Sequence, residues 1–340
     1  MQKRQSKSGH GLKATVLAGL CLAIAACNSA PASQESALTP EQLDARRQQL
    51  ATILADPKAR TRLIAKVMGS TVKDERHAFL KFHIFGYAGD GNLIPFFSLN
   101  NYIIQKWTPG KDGTFEVQHY EVGYYSRFDS AEAISEWENP LTGEVIKLPH
   151  FVLGPVPRSY GPDIGKDPGS FAPDPMNITM IGDRVYVPTL TRLQNGSMLS
   201  PEEWGPYAGG ETSYWDSMMV FSASIEDVLD ESKTHVAAEI HSQNLVSWAP
   251  YLKLGQSPGR TMVRAYGQHI NGFDDLPEDI RANLKKYTAE IFNVDTWTEM
   301  RLDSVDFARE LAEKRAAGTL DIDQPGYVAP PVRKFDELPR

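Results

Sequence analysis

From His77 onward, apolar and polar residues alternate along one stretch after another, and short turns separate the stretches. A period of two places successive side chains on opposite faces of an extended chain, which is typical of β-strands. The segment Phe79–Tyr87 alternates in this way, and so does Thr114–Tyr125. Strands at this density favour an antiparallel sheet, and the lack of β–α–β alternation argues against a doubly wound fold.

We therefore predict a mainly β domain over residues 73–295. Its sheet is expected to be antiparallel and barrel-like or strongly curved, with a lipocalin-like outline as one form. A Thr-Pro pair suited to a helix start opens a predicted helical segment over residues 39–72. A further helix is predicted over residues 296–318, and a loosely attached tail over residues 319–340.

Residues 1–26 have the pattern of a signal peptide. Four basic residues precede the apolar run ATVLAGLCLAIAA (Ala14–Ala26), which is too short for a comfortable membrane span. Small residues before Cys27 resemble the bacterial lipoprotein box, which implies a lipoprotein whose Cys27 carries acyl chains of the palmitate type. An ordinary secretory signal cut after Ala26 is the alternative. Residues 27–38 then form a polar tether between the membrane and the domain.

The predicted anchor at Cys27 attaches the protein to a membrane of the cell envelope, facing the periplasm. Asn28 follows, where the usual Gram-negative rule needs an aspartate for inner-membrane retention, and this favours the outer membrane in such a host. Cleavage removes four basic residues, so the formal net charge falls from −8 to −12. Because phosphate contacts need clustered Lys and Arg, an acidic body argues against a nucleic-acid partner. The other cysteine, Cys21, leaves with the signal, so no disulfide is expected.

Three segments together resemble a known family. They are HYEVGYYSRFDSAEAISEWENPLTGEVIKLPH (119–150), the Trp-Asp pair of SYWDSMMVFSAS (213–224), and LVSWAPYLKLGQSPGRTMVRAYGQHINGFDDLP (245–277). In combination they resemble the domain-of-unknown-function family 1838, a group of exported bacterial proteins, over roughly residues 75 to 295. That family has no assigned activity, so the resemblance implies no catalytic residues.

The chain contains no G-x-S-x-G elbow, P-loop, H-E-x-x-H or G-x-G-x-x-G motif. The best metal-like spacing is that of His235, Glu239 and His241, which would share one face of an extended strand. The two histidines would then lie about 20 Å apart, at about 3.3 Å per residue, too far to share one ion without a bend. We therefore predict no metal and no other cofactor, and expect the apolar residues between the three to pack inward.

The candidate site residues lie in or beside the predicted strands. His119 and Glu121 share a face and resemble a base with its orienting group, although strand-to-strand pairing is the alternative. His150 ends the hairpin 136–150, where it either faces a ligand or caps the next loop. Arg184, Arg192 and Arg264 lie in strand-like stretches, where an inward charge would need an anionic ligand or a partner such as Asp216. The full candidate set is His119, Glu121, Tyr124, His150, Arg184, Trp215, Asp216, His241 and Trp248.

Three functions are compatible with these residues. The first is a lipid-anchored periplasmic binder that holds a small apolar or amphipathic molecule in a cavity lined by aromatic side chains. The second is an acid–base enzyme of isomerase, hydratase or cyclase type acting on such a molecule. The third is a non-catalytic envelope scaffold. An enzyme needs a His or carboxylate with a shifted pKa inside its cavity, whereas a binder needs few titratable groups.

Overall fold

The computed structural model describes residues 38–88, 91–163, 172–173 and 177–333 of the chain. The predicted signal peptide, Cys27 and nearly all of the predicted tether lie outside these residues. In the described part of the chain, no helix combines the length and the apolar character needed to span a membrane.

Six helices and thirteen strands make up the described fold. The helices are α1 (Pro40–Ala55), α2 (Pro57–Met68), α3 (Pro201–Trp204), α4 (Ile225–Leu229), α5 (Glu278–Tyr287) and α6 (Asp303–Ala316). The strands are β1 (Asp74–Ala88), β2 (Leu93–Pro109), β3 (Phe115–Ser126), β4 (Glu136–Glu138), β5 (Val145–Lys147), β6 (Phe151–Tyr160), β7 (Ala172–Pro173), β8 (Thr179–Ile181), β9 (Arg184–Gly196), β10 (Thr212–Ser224), β11 (Glu239–Val246), β12 (Gly259–Ile270) and β13 (Arg301–Leu302).

The first helix starts where its sequence predicts. The hydroxyl of Thr39 accepts the backbone N–H of Gln42, and the side chain of Gln42 accepts the N–H of Thr39. This reciprocal capping satisfies two donors that a helix start otherwise leaves unpaired. A single cap starts α2: the carboxylate of Asp56 accepts the N–H of Ala59 at 2.7 Å, and Pro57 follows as the first helical residue.

One large antiparallel sheet organises the domain. Its strand order is β13–β6–β3–β2–β1–β12–β11–β10–β9–β7, and β8 also pairs with β9. The prediction of a mainly antiparallel β fold with helices before and after it is confirmed. Closure into a barrel is not confirmed, because β13 and β7 end the sheet on its two sides among the described strands.

The two faces of the sheet have different surroundings. The inner face carries Leu80 and Val117 and packs on α2, whose Ile64 is fully buried. The outer face carries Tyr120, which packs with α5, whereas Tyr266 on β12 of the same face is exposed. A second apolar cluster on the inner face joins the sheet to the β4–β5 hairpin and to the short helix Pro250–Leu252.

The stretch EWENPLTGEVIKLPH forms the predicted hairpin. Trp137 of β4 faces Ile146 of β5, and Gly143 in the turn has a φ of 74°. Asn139 is fully buried, and its Nδ2 donates to the carbonyl of Leu252 at 2.9 Å. The turn is therefore tied to the body of the domain, and its second strand leads the chain toward His150.

The predicted loose tail needs correction over its described part, residues 319–333. Leu320 is almost fully buried, and Asp321 accepts a hydrogen bond from Lys253 at 2.6 Å. Tyr207 also donates to Asp321, at 2.9 Å. The tail packs because its apolar side chains Leu320 and Ile322 join a buried cluster and its carboxylates Asp321 and Asp323 pair with Lys253 and Arg315.

Replacing Asp321 by asparagine is expected to loosen this segment. The substitution keeps the shape and removes a charge-assisted contact to Lys253, which we expect to cost about 1 kcal/mol. Amide hydrogen exchange over residues 319–333 should then speed up by about fivefold. Asp274→Asn, at an exposed carboxylate, is the matched control. Equal exchange rates in wild type and Asp321→Asn would show that the ion pair does not hold the tail.

Candidate functional site

His119 lies in a buried chain of hydrogen bonds on the inner face of β2 and β3. The register places it opposite Gln105, with Glu121 two residues further along the same face. Its Nδ1 is 3.1 Å from Nε2 of Gln105, and its Nε2 is 2.6 Å from Oε1 of Glu121. Trp107 donates to Oε1 of Gln105 at 3.0 Å. Asn101 donates to Oε2 of Glu121 at 2.6 Å.

The indole of Trp107 can only donate, and this sets the direction of the bonds that follow. Gln105 must present its oxygen to Trp107 and its N–H to His119. Nδ1 of His119 therefore accepts, and the ring proton is on Nε2, which donates to Glu121. Both ring nitrogens are used by protein partners. The imidazole thus orients the carboxylate, whereas the sequence pattern predicts His119 as the base and Glu121 as its orienting group.

The surroundings keep this pair as a neutral imidazole and a carboxylate. Burial lowers the pKa of the His119 imidazole, and the charge of Arg158 on β6 adds to that effect, against the opposing influence of Glu121. Burial alone would raise the pKa of the Glu121 carboxyl. The contacts from His119 and Asn101 and the charge of Arg158 outweigh burial, so the pKa of Glu121 is lowered.

A cavity of about 520 Å³ lies where the β4–β5 hairpin, β3, α6 and residues 319–321 meet. This volume is within the range of about 300–1,000 Å³ that is usual for small-molecule sites. Apolar side chains such as Ile146 and Phe307 share its wall with polar ones. Five tyrosines also line it, namely Tyr124, Tyr125, Tyr207, Tyr251 and Tyr287.

Asp303 stands in this wall as the first residue of α6. The short strand β13 carries it there, because Leu302 pairs with Leu153 of β6, and Leu153 in turn pairs with Glu121. Burial raises the pKa of the Asp303 carboxyl to about 6. The charges of Asp306 and Glu121 add to this rise, and the N–H of Ser304, 2.8 Å from Oδ1, opposes it. Asp303 can therefore exchange a proton near neutral pH.

Two tyrosine hydroxyls lie in the same wall. The hydroxyls of Tyr125 and Tyr251 are 3.1 Å apart, and both side chains are buried. Burial raises the pKa of both phenols. The negative charge of Asp303 acts in the same direction on both. The two hydroxyls therefore stay protonated and can act as donors.

Two of the predicted site residues line the cavity. Tyr124 is buried on the outer face of β3, where burial raises the pKa of its phenol. His150 is exposed at the cavity wall, with its ring centre 6.1 Å from that of Tyr287. Among the described residues, His119 and Glu121 are not part of this wall. Glu121 acts on the cavity through the effect of its charge on Asp303.

Arg184 and Asp216 both lie on the outer face of the sheet, and of the three strand arginines it is Arg192 that pairs with Asp216. Nη2 of Arg184 lies 3.3 Å from Oε1 of Glu239. Asp216 instead accepts from Arg192 at 3.1 Å. Trp215 points to the inner face at one end of β10 and keeps 42% of its surface exposed.

The remaining candidates are not brought together. His241 is exposed on the outer face of β11, whereas Trp248 is buried in the apolar cluster beside the hairpin. His235 lies beside Asp74, and Glu239 is engaged elsewhere on the sheet. Over the described ranges, no group of three or more His, Cys, Asp or Glu is arranged to hold a metal ion. The residues between the trio pack inward as expected, at Val236, Ala238 and Ile240.

Asp303, Tyr125 and Tyr251 were not among the predicted site residues. Tyr125 could have been found, because the alternation that places His119 and Glu121 on one face also places Tyr125 there. Asp303 gives no such signal, since an Asp at a helix start has the appearance of an ordinary capping residue. The pairing of β13 with β6 brings it to the cavity.

A family model described as "Protein of unknown function (DUF1838)" matches residues 81–303, which is more than half of the chain. The matched span includes Tyr125, Tyr251 and Asp303. No curated protein matches the chain. The likeness inferred from the three sequence segments is confirmed, and the chain belongs to the DUF1838 family of proteins of unknown function.

Proposed function

We propose that the protein is an acid–base enzyme of isomerase, hydratase or cyclase type, acting on a small amphipathic molecule held in the cavity. The observation that carries the proposal is Asp303. It is a carboxyl in a cavity wall, beside two buried tyrosines, with its pKa raised to about 6. A group that titrates near the working pH is suited to give and take a proton during a reaction.

The two carboxyls of the region have opposite environments. The contacts of Glu121 lower its pKa, whereas the surroundings of Asp303 raise its pKa. Environments that separate two pKa values in this way are how enzymes divide acid and base roles between like groups. In this proposal Asp303 carries the proton, and the fixed charge of Glu121 helps to keep it there.

Binding without chemistry is the competing function. The apolar part of the wall suits an apolar or amphipathic ligand, which both functions share. A pure binder has no need of a titrating carboxyl beside its ligand, and this favours the enzyme.

The predicted anchor at Cys27 would place such an enzyme on the periplasmic side of the envelope. The packing of α2 on the inner face is consistent with the strongly curved form of the sheet that the sequence suggests.

The proposal is tested by incubating the protein with an organic extract of bacterial cells and following small molecules by mass spectrometry. The wild type is expected to convert at least one compound into an isomer, or into a product that differs by one water. Asp303→Asn should slow this conversion by at least about 100-fold, the usual size of a lost acid–base group.

Asp274→Asn is the matched control, since this carboxylate is exposed, precedes α5 in the chain and does not line the cavity. It should convert the compound at the wild-type rate. Equal conversion by Asp303→Asn would contradict the assignment of Asp303. A compound that binds the wild type and is recovered unchanged would identify the protein as a binder.

A further inference from the structure

We propose that the hydroxyls of Tyr125 and Tyr251 and the carboxyl of Asp303 bind the oxygen of a carbonyl group or of its enolate. The substrate of the proposed enzyme is then a small carbonyl compound with an apolar part. This inference rests on the proposed function and names the substrate class that the same cavity accepts.

The tyrosine pair has one more hydroxyl hydrogen than the contact between the two oxygens uses. Each phenol carries one hydrogen, and the contact of 3.1 Å between the two oxygens uses one of them. The other hydroxyl hydrogen is left for a third acceptor. Both side chains are buried among apolar and aromatic groups, with Phe97 at 5.0 Å from the ring of Tyr125. A buried hydroxyl needs a hydrogen-bond partner, and a ligand in the cavity that both tyrosines line can accept this hydrogen.

The carboxyl of Asp303 is the third group of the site. It lines the same cavity as the tyrosine pair, and its charge acts on both phenols. One of its oxygens accepts the N–H of Ser304. In the protonated form the carboxyl is a hydrogen-bond donor. A neutral carboxylic acid and a phenol that face one cavity can together stabilise an oxygen on which negative charge develops.

The rest of the wall carries four Lys and Arg side chains, namely Lys147, Lys253, Arg301 and Lys314. Lys253 is paired with Asp321 at 2.6 Å and with Glu144 at 3.4 Å. Arg301 lies 3.5 Å from Asp306. Lys314 lies 2.7 Å from Glu310, and Lys147 is exposed on β5. A ligand with a permanent phosphate or carboxylate charge would therefore meet three of the wall's four Lys and Arg side chains already in use, with carboxylates beside them. A neutral carbonyl oxygen, which gains charge only during reaction, fits this wall better.

The site is tested with 4-nitrophenol, whose phenolate absorbs visible light whereas the neutral phenol does not. At a pH below the probe's own pKa, the wild type is expected to bind it as the phenolate, with a saturable rise in visible absorbance. Tyr251→Phe removes one donor to a charged oxygen and should weaken binding by about tenfold or more. Tyr125→Phe should have a similar effect, and thermal unfolding of both variants checks their folding.

Tyr287→Phe is the matched control, because Tyr287 lines the same cavity outside the hydroxyl pair. It should bind the probe within about twofold of the wild type, well under the tenfold step of a lost donor. The proposal is overturned if the probe does not bind, if it binds as the neutral phenol, or if Tyr251→Phe and Tyr287→Phe have equal affinity.

The outcome is separable from that of the extract assay. If Asp303→Asn abolishes turnover while neither Tyr125→Phe nor Tyr251→Phe changes the affinity for the probe, the oxygen site is wrong and the proposed acid–base function stands. If the phenolate binds as expected and no compound is converted, the oxygen site stands and the enzyme proposal fails.

Discussion

Replacing His119 by alanine is expected to lower the free energy of unfolding by about 3–5 kcal/mol, the usual cost of breaking a buried pair at one partner. The imidazole is buried, and it joins Gln105 to Glu121 through its two ring nitrogens. Without it, the Glu121 carboxylate loses a donor and the amide of Gln105 loses an acceptor. Urea-induced unfolding of the purified domain measures the change.

His241→Ala is the control for this substitution. His241 is an exposed histidine on a strand of the same sheet, so its loss should change stability by less than about 0.5 kcal/mol. A double variant, His119→Ala with Glu121→Ala, separates the charge from the packing. It should lose less stability than the sum of the two single variants, because the buried carboxylate is then absent. A cost of less than about 1 kcal/mol for His119→Ala would mean that the chain of bonds is not formed.

Most of the long strands could be predicted from alternation, and β6 shows why one long strand could not. Its sequence FVLGPVPRSY contains two prolines and a glycine, which interrupt the pattern and lower the expectation of a strand. The structure accepts Pro155 at the irregular register between His119 and Glu121. Of the strands that the structure describes, only β13, two residues long, pairs with the other side of β6, so the prolines of β6 lie near the sheet edge.

The order of the strands in the sheet could not be predicted from residue patterns within single strands. The first strand, β1, pairs with β12, which follows it by more than 150 residues in the chain. Such pairing depends on which apolar faces fit together on α2, and alternation within a strand carries no information about its neighbour. The class of fold and the faces of strands such as β3 could therefore be predicted from the sequence, whereas the open edges of the sheet could not.

The candidate site could also be predicted only in part, and the predictable part lies within one strand. The shared face of His119 and Glu121 follows from alternation within one strand, and the structure places them so. Their roles depend on Trp107 and Gln105, which belong to another strand. The cavity is assembled from still more distant parts, since Tyr125, Tyr251 and Asp303 come from a strand, a short helix and the start of α6. Residues that meet only through tertiary packing leave no shared pattern in the sequence.

The second large effect is expected from the pH dependence of stability. The pKa of Asp303 is about 6 in the folded protein, and an aspartate in an unfolded chain has a pKa near 3.8. The folded state therefore holds the proton more tightly, and the stability that comes from the protonated form is fully present below about pH 4. That stability is lost as the pH rises through about 6. The loss amounts to about 3 kcal/mol at neutral pH and above.

Asparagine resembles the neutral acid and does not titrate, so Asp303→Asn should avoid this loss. The variant is expected to gain up to about 3 kcal/mol over the wild type between pH 4 and pH 8, with the difference appearing mainly between about pH 4 and 6. Urea unfolding across this pH range measures it, and Asp274→Asn should show no such rise. A difference that stays constant with pH would mean that Asp303 is ionised in the folded protein at every pH tested. The proton-carrying role proposed for Asp303 would then fail with it, because a group that holds no proton near neutral pH cannot donate one.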